Sequence, residues 1–325
     1  MFEDLKRVSN KHKNNKFKYY LEGYFNTYAP KFLFRCLLKS KLSAQKQFDS
    51  DYLQMRIDYY NRLNHVTMLP DESIALKNFK LPEKLKVYFF DTLEYTRFFP
   101  AHLKIKTLFG DITHVPEIPS ITKSRPIKGD NANSVLLKLG KVRHFMFVKD
   151  SYPFEDKKDM LIGRSNAMQE HRIRFLNQYI DHPLCDVGQV NRDKNFHLIR
   201  NRVTVDEHLK FKFILCLEGN DVASNLKWVM SSNSVAVMPE PTYETWFMEG
   251  TLIPDFHYIR IKEDFSDLEE RLTYYINHPE KCKEIVAHAQ AYVEPFKNKK
   301  REQLINLLVL KKYFEKTGQS LSHHS

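Results

Sequence analysis

Phe211 to Trp228 reads FKFILCLEGNDVASNLKW, and its punctuation decides the fold class. Phe211 to Leu217 is a short apolar run with β-branched and aromatic members, which predicts a buried strand. Glu218-Gly219 ends the run, Asn220 and Asp221 continue a polar turn, and Ala223-Ser224-Asn225-Leu226-Lys227-Trp228 predicts the first turns of a helix. A strand, a Gly turn and a helix opening at Ser or Asn together point free backbone N–H groups at an anion. Lys227, one turn into that helix, is positioned to bring its amine to a phosphate. An ordinary α/β crossover has the same pattern, so this stretch alone leaves both readings open.

The flanking segments extend the α/β pattern. Upstream, Met160 to Gly163 predicts a short strand, Arg164-Ser165-Asn166 a loop and Glu170 to Ile180 a helix. Arg172 and Arg174 are two residues apart, so on that helix they cannot both face one ligand. Downstream, Ser234 to Met238 and Phe256 to Ile261 predict strands. Asp264 to His278, Pro279 to Phe296 and Lys300 to Phe314 predict amphipathic helices. An earlier α/β pattern has strands at Leu85 to Phe90, Leu103 to Phe109 and Val142 to Val148, with a helix at Asn131 to Leu139. Its Pro-rich loop, Gly110 to Pro126, directly follows a strand, and ligands of open α/β sheets gather beyond the strands' carboxyl ends. Asp111 stands there, where a catalytic carboxylate is useful; an Asp beside Gly also forms turns. The polar, Pro-broken segment Lys149 to Lys158 predicts the domain boundary. The expected division is 1–152, 153–297 and a C-terminal helix over 298–325 that packs back on the first domain.

Bulk properties narrow the partners. A chain of 325 residues with 42% hydrophobic content exceeds one core and predicts two domains. The net charge of +11 favours phosphates, an anionic membrane surface or nucleic acid. Eleven basic residues, Lys6, Arg7, Lys11 and Lys13 among them, oppose Glu3, Asp4 and Glu22 in the first 47 positions, interleaved with aromatics. That region reads as an amphipathic surface for anionic lipid or a phosphorylated acceptor, or as solvated helices packing their aromatics inward, the commoner arrangement. A further helix is predicted over Ala44 to Leu63. Cys36, Cys185, Cys216 and Cys282 form no CxxC pair, so buried thiols in a reducing compartment are expected. With no apolar leader and no run of 18 apolar residues, the expected location is the cytoplasm, the inner membrane face being a candidate surface. No GxGxxG, P-loop, HExxH or nucleophile elbow occurs, which argues against a dinucleotide enzyme, an NTPase, a zinc protease or an α/β-hydrolase. Asp49-Ser50-Asp51 reads as a helix N-cap in preference to a metal clamp.

Taken in order, the motifs resemble glycosyltransferase family 90, the lipopolysaccharide-core and capsule group that includes protein O-glucosyltransferases. The resemblance runs from about Phe109 to Phe296. Asp111 with Pro116, Pro119 and Lys123 is similar to the family's catalytic-aspartate loop. Gly163-Arg164-Ser165 through Arg172 is similar to its aromatic-Arg-Gly motif and following donor-binding Arg. Phe211-Lys212-Phe213 through Gly219, Ser224 and Lys227 is similar to its central strand and loop. Pro254, His257 and Tyr258, with Asp264, Ser266, Asp267 and Leu268, are similar to its Pro-x-x-His-Tyr strand and acidic helix start. Two departures stand out: the aromatic-Arg-Gly triplet is altered, and Glu218 replaces an Arg of animal members, which suits sugar or ribose hydroxyls better than phosphate. The resemblance implies a GT-B-like α/β fold, two Rossmann-type domains facing a central cleft, with a helical N-terminal region and C-terminal helices. It implies inverting transfer of a hexose or pentose from a UDP-sugar to a lipopolysaccharide-core or capsule acceptor, with no cofactor and no essential metal. Asp111 is the expected base. The expected donor-binding set is Arg164, Ser165, Arg172, Glu218, Gly219, Asn220, Asp221, Ser224, Asn225 and Lys227. A basic nucleic-acid-binding protein and a different nucleotide-sugar enzyme are the alternatives. No fold signature supports the former, so nucleic acid is not expected as a partner.

Overall fold

The computed structural model describes His12 and residues 14–321. Lys6, Arg7, Lys11 and Lys13, part of the expected basic surface, lie outside the described residues. The chain forms two compact units. The first comprises Arg143–Pro241 and Thr251–Pro295 with the described residues up to Asn14; the second comprises Asn15–Val142, Thr242–Gly250 and the chain from Phe296 on.

The first unit is built on one parallel sheet of five strands: β1 (Lys158–Ser165), β2 (Cys185–Gln189), β3 (Phe211–Leu215), β4 (Val235–Met238) and β5 (Ile259–Arg260). Their spatial order is β2-β1-β3-β4-β5. The stretch that opens the sequence reading supplies β3, and Phe211 to Ile214 are all buried, as a central parallel strand requires. Around the sheet, Leu161, Phe213, Val237 and Ile259 pack with Phe175 and Leu176 of the Glu170–Tyr179 helix and with Leu268 and Leu272 of the Leu268–Asn277 helix. Each such side chain contributes about 1.5–3 kcal/mol through its burial. The order 2-1-3-4-5 has a consequence for function. After β1 the chain runs to one side of the sheet, and before β3 it returns to the other, so the loops beyond β1 and β3 diverge and open a crevice at the strands' carboxyl ends.

Several expectations in this unit are corrected. Arg164 and Ser165, expected in a loop, continue the parallel pairing to the end of β1, and β2 has no counterpart in the sequence reading. The predicted strand Phe256 to Ile261 reduces to Ile259–Arg260, because Asp255 adopts φ 58° and the chain turns there, its N–H donating to the Tyr258 carbonyl at 2.8 Å. The helix predicted from Ala223 begins only at Leu226 and ends at Val229. Asn225 does not cap it with its side chain; its Nδ2 donates instead to the Leu215 carbonyl at 2.9 Å, tying the turn to the end of β3.

The second unit departs further from the sequence reading. Leu85 to Phe90, expected as a strand, enters the helix Lys86–Thr96, whose Phe89, Leu93 and Thr96 fall on one buried helical face. Asn131 to Leu139, expected as a helix, contains the strand Ser134–Leu136, parallel to Ser120–Thr122, itself parallel to Thr107–Leu108. Val142 to Val148, expected as a strand, begins as the short helix Lys141–His144. In each case the apolar run is short, where periodicity does not separate strand from helix. The expected helix Ala44 to Leu63 is a 3₁₀ turn, Ala44–Gln47, followed by the helix Ser50–Tyr60, which Asp49 caps by accepting from the Tyr52 N–H at 2.6 Å. The C-terminal helix Lys299–Lys316 packs on the Ser50–Tyr60 and Lys86–Thr96 helices of the same unit.

Candidate functional site

The crevice at the β1/β3 switch holds a pocket of about 300 Å³ within the first unit. Gly163, Arg164 and Ser165 from β1, Leu215 at the end of β3 and Leu217 just beyond it line the pocket. Gly163 packs closely there, since a Cβ on it would lie 3.0 Å from the Leu215 side chain. Ser224, Asn225 and Arg172 line it as well. Among the described residues three arginines line the pocket and no carboxylate does.

Arg172 is positioned by helical geometry. It precedes the buried anchors Phe175 and Leu176 by three and four residues, so it shares their edge of the Glu170–Tyr179 helix. Its Nε donates to the Glu218 carbonyl at 2.7 Å, Nη2 to the Leu217 carbonyl at 2.8 Å and Nη1 to the Asn166 carbonyl at 3.0 Å. Carbonyls orient the guanidinium but do not neutralise it. Burial, and then the neighbouring Arg143 charge, push Arg172 down to about 10, with Glu218 opposing. At neutral pH it remains a cation whose charge an incoming anion would offset.

Arg143 is the residue the sequence reading missed. It lines the same pocket, exposed, from the end of the Lys141–His144 helix. The sequence predicts a strand over Val142 to Val148; the signal against it is Gly140, which adopts φ 72° just before Lys141.

The remaining expected donor residues separate by placement. Ser224 and Asn225 line the pocket, as do Arg164 and Ser165. Arg164 is nevertheless engaged by the protein, Nη2 pairing with Asp186 Oδ1 at 2.5 Å and Nε donating to the Asn201 carbonyl at 2.9 Å. Gly219 lies against Arg172, where a Cβ would be 3.4 Å from Nη2. Glu218 contributes its carbonyl to Arg172 and also meets the His171 ring at 2.9 Å. Asn220 accepts from Gln169 Nε2 at 2.8 Å on the surface, and Asp221 is buried. Lys227 does not line the pocket. It is 0% exposed, its amine 5.7 Å from the centre of the Phe145 ring. Because the helix starts late and spans four residues, it also has little dipole to offer an anion. The positive charge of the pocket comes from arginines.

Asp111 belongs to the second unit, on the loop after Thr107–Leu108, where its Oδ1 accepts from Lys123 Nζ at 2.5 Å. Lys123 is almost fully buried and the Asp111 side chain partly exposed. The pairing fixes the carboxylate's orientation. No group of three or more His, Cys, Asp or Glu is spaced to hold a metal among the described residues.

The family model for glycosyl transferase family 90 matches residues 148–314. The O-glucosyltransferase LpsA of Dichelobacter nodosus is 43% identical over 265 residues, 81% of this chain and 82% of that protein. The chain belongs to glycosyl transferase family 90. Uncharacterized protein 179R of Invertebrate iridescent virus 6 is 29% identical over 113 residues, and uncharacterized protein 027R of Frog virus 3 is 26% identical over 121. Those matches take in 33% and 36% of this chain but only 9% and 12% of the viral proteins. This family 90 glycosyltransferase carries Arg172 and the β1 and β3 residues lining its pocket inside the matched region, whereas Arg143 and Asp111 precede it.

Proposed function

We propose that this glycosyltransferase transfers a hexose or pentose from a UDP-sugar to a saccharide acceptor with inversion, on a GT-B-like pair of domains. The observation that carries the reading is the arginine-lined, carboxylate-free pocket at the sheet's switch point, where nucleotide phosphates bind in doubly wound folds. Glucose is the first donor sugar to try, since a relative sharing 43% identity is an O-glucosyltransferase. A lipopolysaccharide-core or capsule saccharide is the acceptor class implied by the family resemblance.

In this mechanism Asp111 takes the proton from the acceptor hydroxyl while its oxygen attacks the anomeric carbon and the bond to the diphosphate breaks. Negative charge grows on the departing UDP. Arg172, pre-oriented by three carbonyls, and Arg143 supply the opposing charge without reorganising at the moment of reaction. Arginine's planar fork suits a diphosphate better than a point charge does.

Calorimetric titration with UDP, paired with a donor panel scored by UDP release, tests the reading. Losing one charge-assisted contact costs about 1.5–3 kcal/mol, so Arg172→Ala should weaken UDP binding roughly tenfold to hundredfold. Arg172→Lys should recover only part of that. Arg143→Ala, at an exposed and screened position, should cost severalfold. Turnover should persist in excess EDTA, since arginines take the role a metal would have. Unchanged UDP affinity in Arg172→Ala removes the pocket from donor binding, and activity lost in EDTA but restored by Mn²⁺ overturns the metal-free leaving-group chemistry.

A further inference from the structure

The helix Lys16–Tyr28 is folded inside out. Its packing face is polar or small: the Tyr19 hydroxyl donates to the Val87 carbonyl at 3.0 Å and to Asp91 Oδ1 at 2.8 Å. Gly23 lies so close to the Phe90 ring that a Cβ would stand 2.7 Å from it. Tyr20 and Tyr24 meet that ring edge-on, 6.1 and 5.1 Å between centroids. The large apolar residues face the other way. Phe17, Leu21, Phe25 and Tyr28 follow one another at helical spacing and are 78%, 60%, 68% and 78% exposed. They form one stripe about 16 Å long. Phe32 and Leu33 of the following helix, Lys31–Arg35, are exposed as well, as is Leu37 beyond it. An apolar stripe ordinarily faces a core, and a contiguous exposed one marks an interaction surface.

Charge chooses the occupant. Residues 15–47 contain seven basic side chains and one carboxylate, Glu22, itself 3.9 Å from Lys18 Nζ. Glu94 flanks the stripe across a cavity shared with Leu21, Phe25 and Arg97, and it is bonded by Lys141. Large aromatics with flanking lysines are the composition of helices that lie in a lipid interface, with rings among the acyl boundaries and amines at the headgroups. No helix among the described residues is long and apolar enough to cross a membrane, so contact by this route is at the surface. We propose that the Lys16–Tyr28 helix and the Lys31–Arg35 helix dock the protein on the surface of an anionic lipid bilayer. The inference is independent of the donor reading, because none of these residues lines the arginine pocket.

Flotation of the full chain with vesicles tests it, comparing phosphatidylcholine alone with phosphatidylcholine mixed with phosphatidylglycerol. The protein should float with the mixed vesicles only, and less at high salt. Phe17→Ser, Phe25→Ser and Tyr28→Ser combined should abolish flotation. Lys16→Glu with Lys18→Glu should cut it by roughly fivefold per lysine or more. UDP affinity, measured in parallel, should be wild type in both variants. The lysine variant alters only exposed residues, so it keeps the test decisive even if the serine variant fails to fold. Failure of the wild type to float with mixed vesicles, or undiminished flotation of the lysine variant, overturns the proposal. So does a wild-type dimer dispersed by the serine changes, which would assign the stripe to a second copy of the chain.

Discussion

Arg172 and Arg174 illustrate how much one helical position decides. Two residues apart, they diverge as the geometry demands: Arg172 lines the pocket, while Arg174 donates to the Glu263 carbonyl at 2.7 Å and lies over the Phe265 ring. Among candidate bases, Asp91 is buried and bonded by Tyr19 and Lys141, and Asp150 is paired with the buried Lys157 at 2.8 Å. Asp130 accepts from the Ala132 N–H in an exposed turn. Asp111 alone of these four combines partial exposure with a buried cation to orient it. Asp111→Asn keeps the shape and removes the proton acceptor, so kcat should fall about 10²–10⁴-fold while UDP affinity holds. A turnover near wild type in single-turnover assays would move the base elsewhere.

At the scale of elements, the C-terminal helix Lys299–Lys316 shows what packing adds beyond amphipathicity. Its Glu302 is buried and meets Arg56 Nη2 at 3.0 Å, Lys138 Nζ at 3.2 Å and Trp246 Nε1 at 2.5 Å, all within the second unit. Tyr60 stacks on Trp246 at 3.8 Å, so the same node joins rings and charges. Removing one partner of such a group leaves buried charge uncompensated, at a cost of about 3–5 kcal/mol. Glu302→Ala should therefore lower the denaturation midpoint sharply, and Glu302→Gln, which fills the space and keeps one acceptor oxygen but loses the charge and turns an amide N–H₂ toward donors, should fall between. A midpoint in urea unchanged by Glu302→Ala would show that the cluster contributes nothing.

Over the whole molecule, acid lability follows from two histidines of the first unit. Burial lowers His208, whose Nδ1 lies 2.7 Å from the Thr204 carbonyl; burial and then the neighbouring His288 charge lower His257, whose Nδ1 accepts from the Ile253 N–H at 2.9 Å. Folded, both stay neutral where the unfolded chain already binds protons. Their contribution to stability is thus present above pH 6.5 and is lost as the pH falls below it. The melting temperature should drop between about pH 7.5 and about pH 5.5, and His208→Gln with His257→Gln should flatten that slope. An equally steep slope in the double variant would trace the lability to other groups. The buried Cys185 and Cys282 thiols, both pushed up to about 12 by burial, are poor nucleophiles, as is buried Cys216, which burial also raises.

Much of residues 158–297 was legible because several elements there carry their own local signal, although β2 (Cys185–Gln189) had none that the reading used. The buried run at Phe211, the turn at Gly219 and the amphipathic helices from Glu170 and Pro279 declare themselves through spacing that neighbours do not override. Arg172, which lines the pocket, was singled out by the family resemblance, since spacing alone left it and Arg174 open. Residues 85–148 were not, since Leu85 to Phe90, Asn131 to Leu139 and Val142 to Val148 are short runs whose spacing does not separate strand from helix, and the strand Ser134–Leu136 is settled by pairing with Ser120–Thr122. The same holds for charge. Sequence alone establishes that Lys227, Arg143 and Arg172 are cations, but burial beside Phe145 takes Lys227 out of the pocket and the turn after Gly140 brings Arg143 into it. A residue's chemistry is local, whereas its access to a ligand depends on every chain segment packed around it, and only the tertiary structure holds that information.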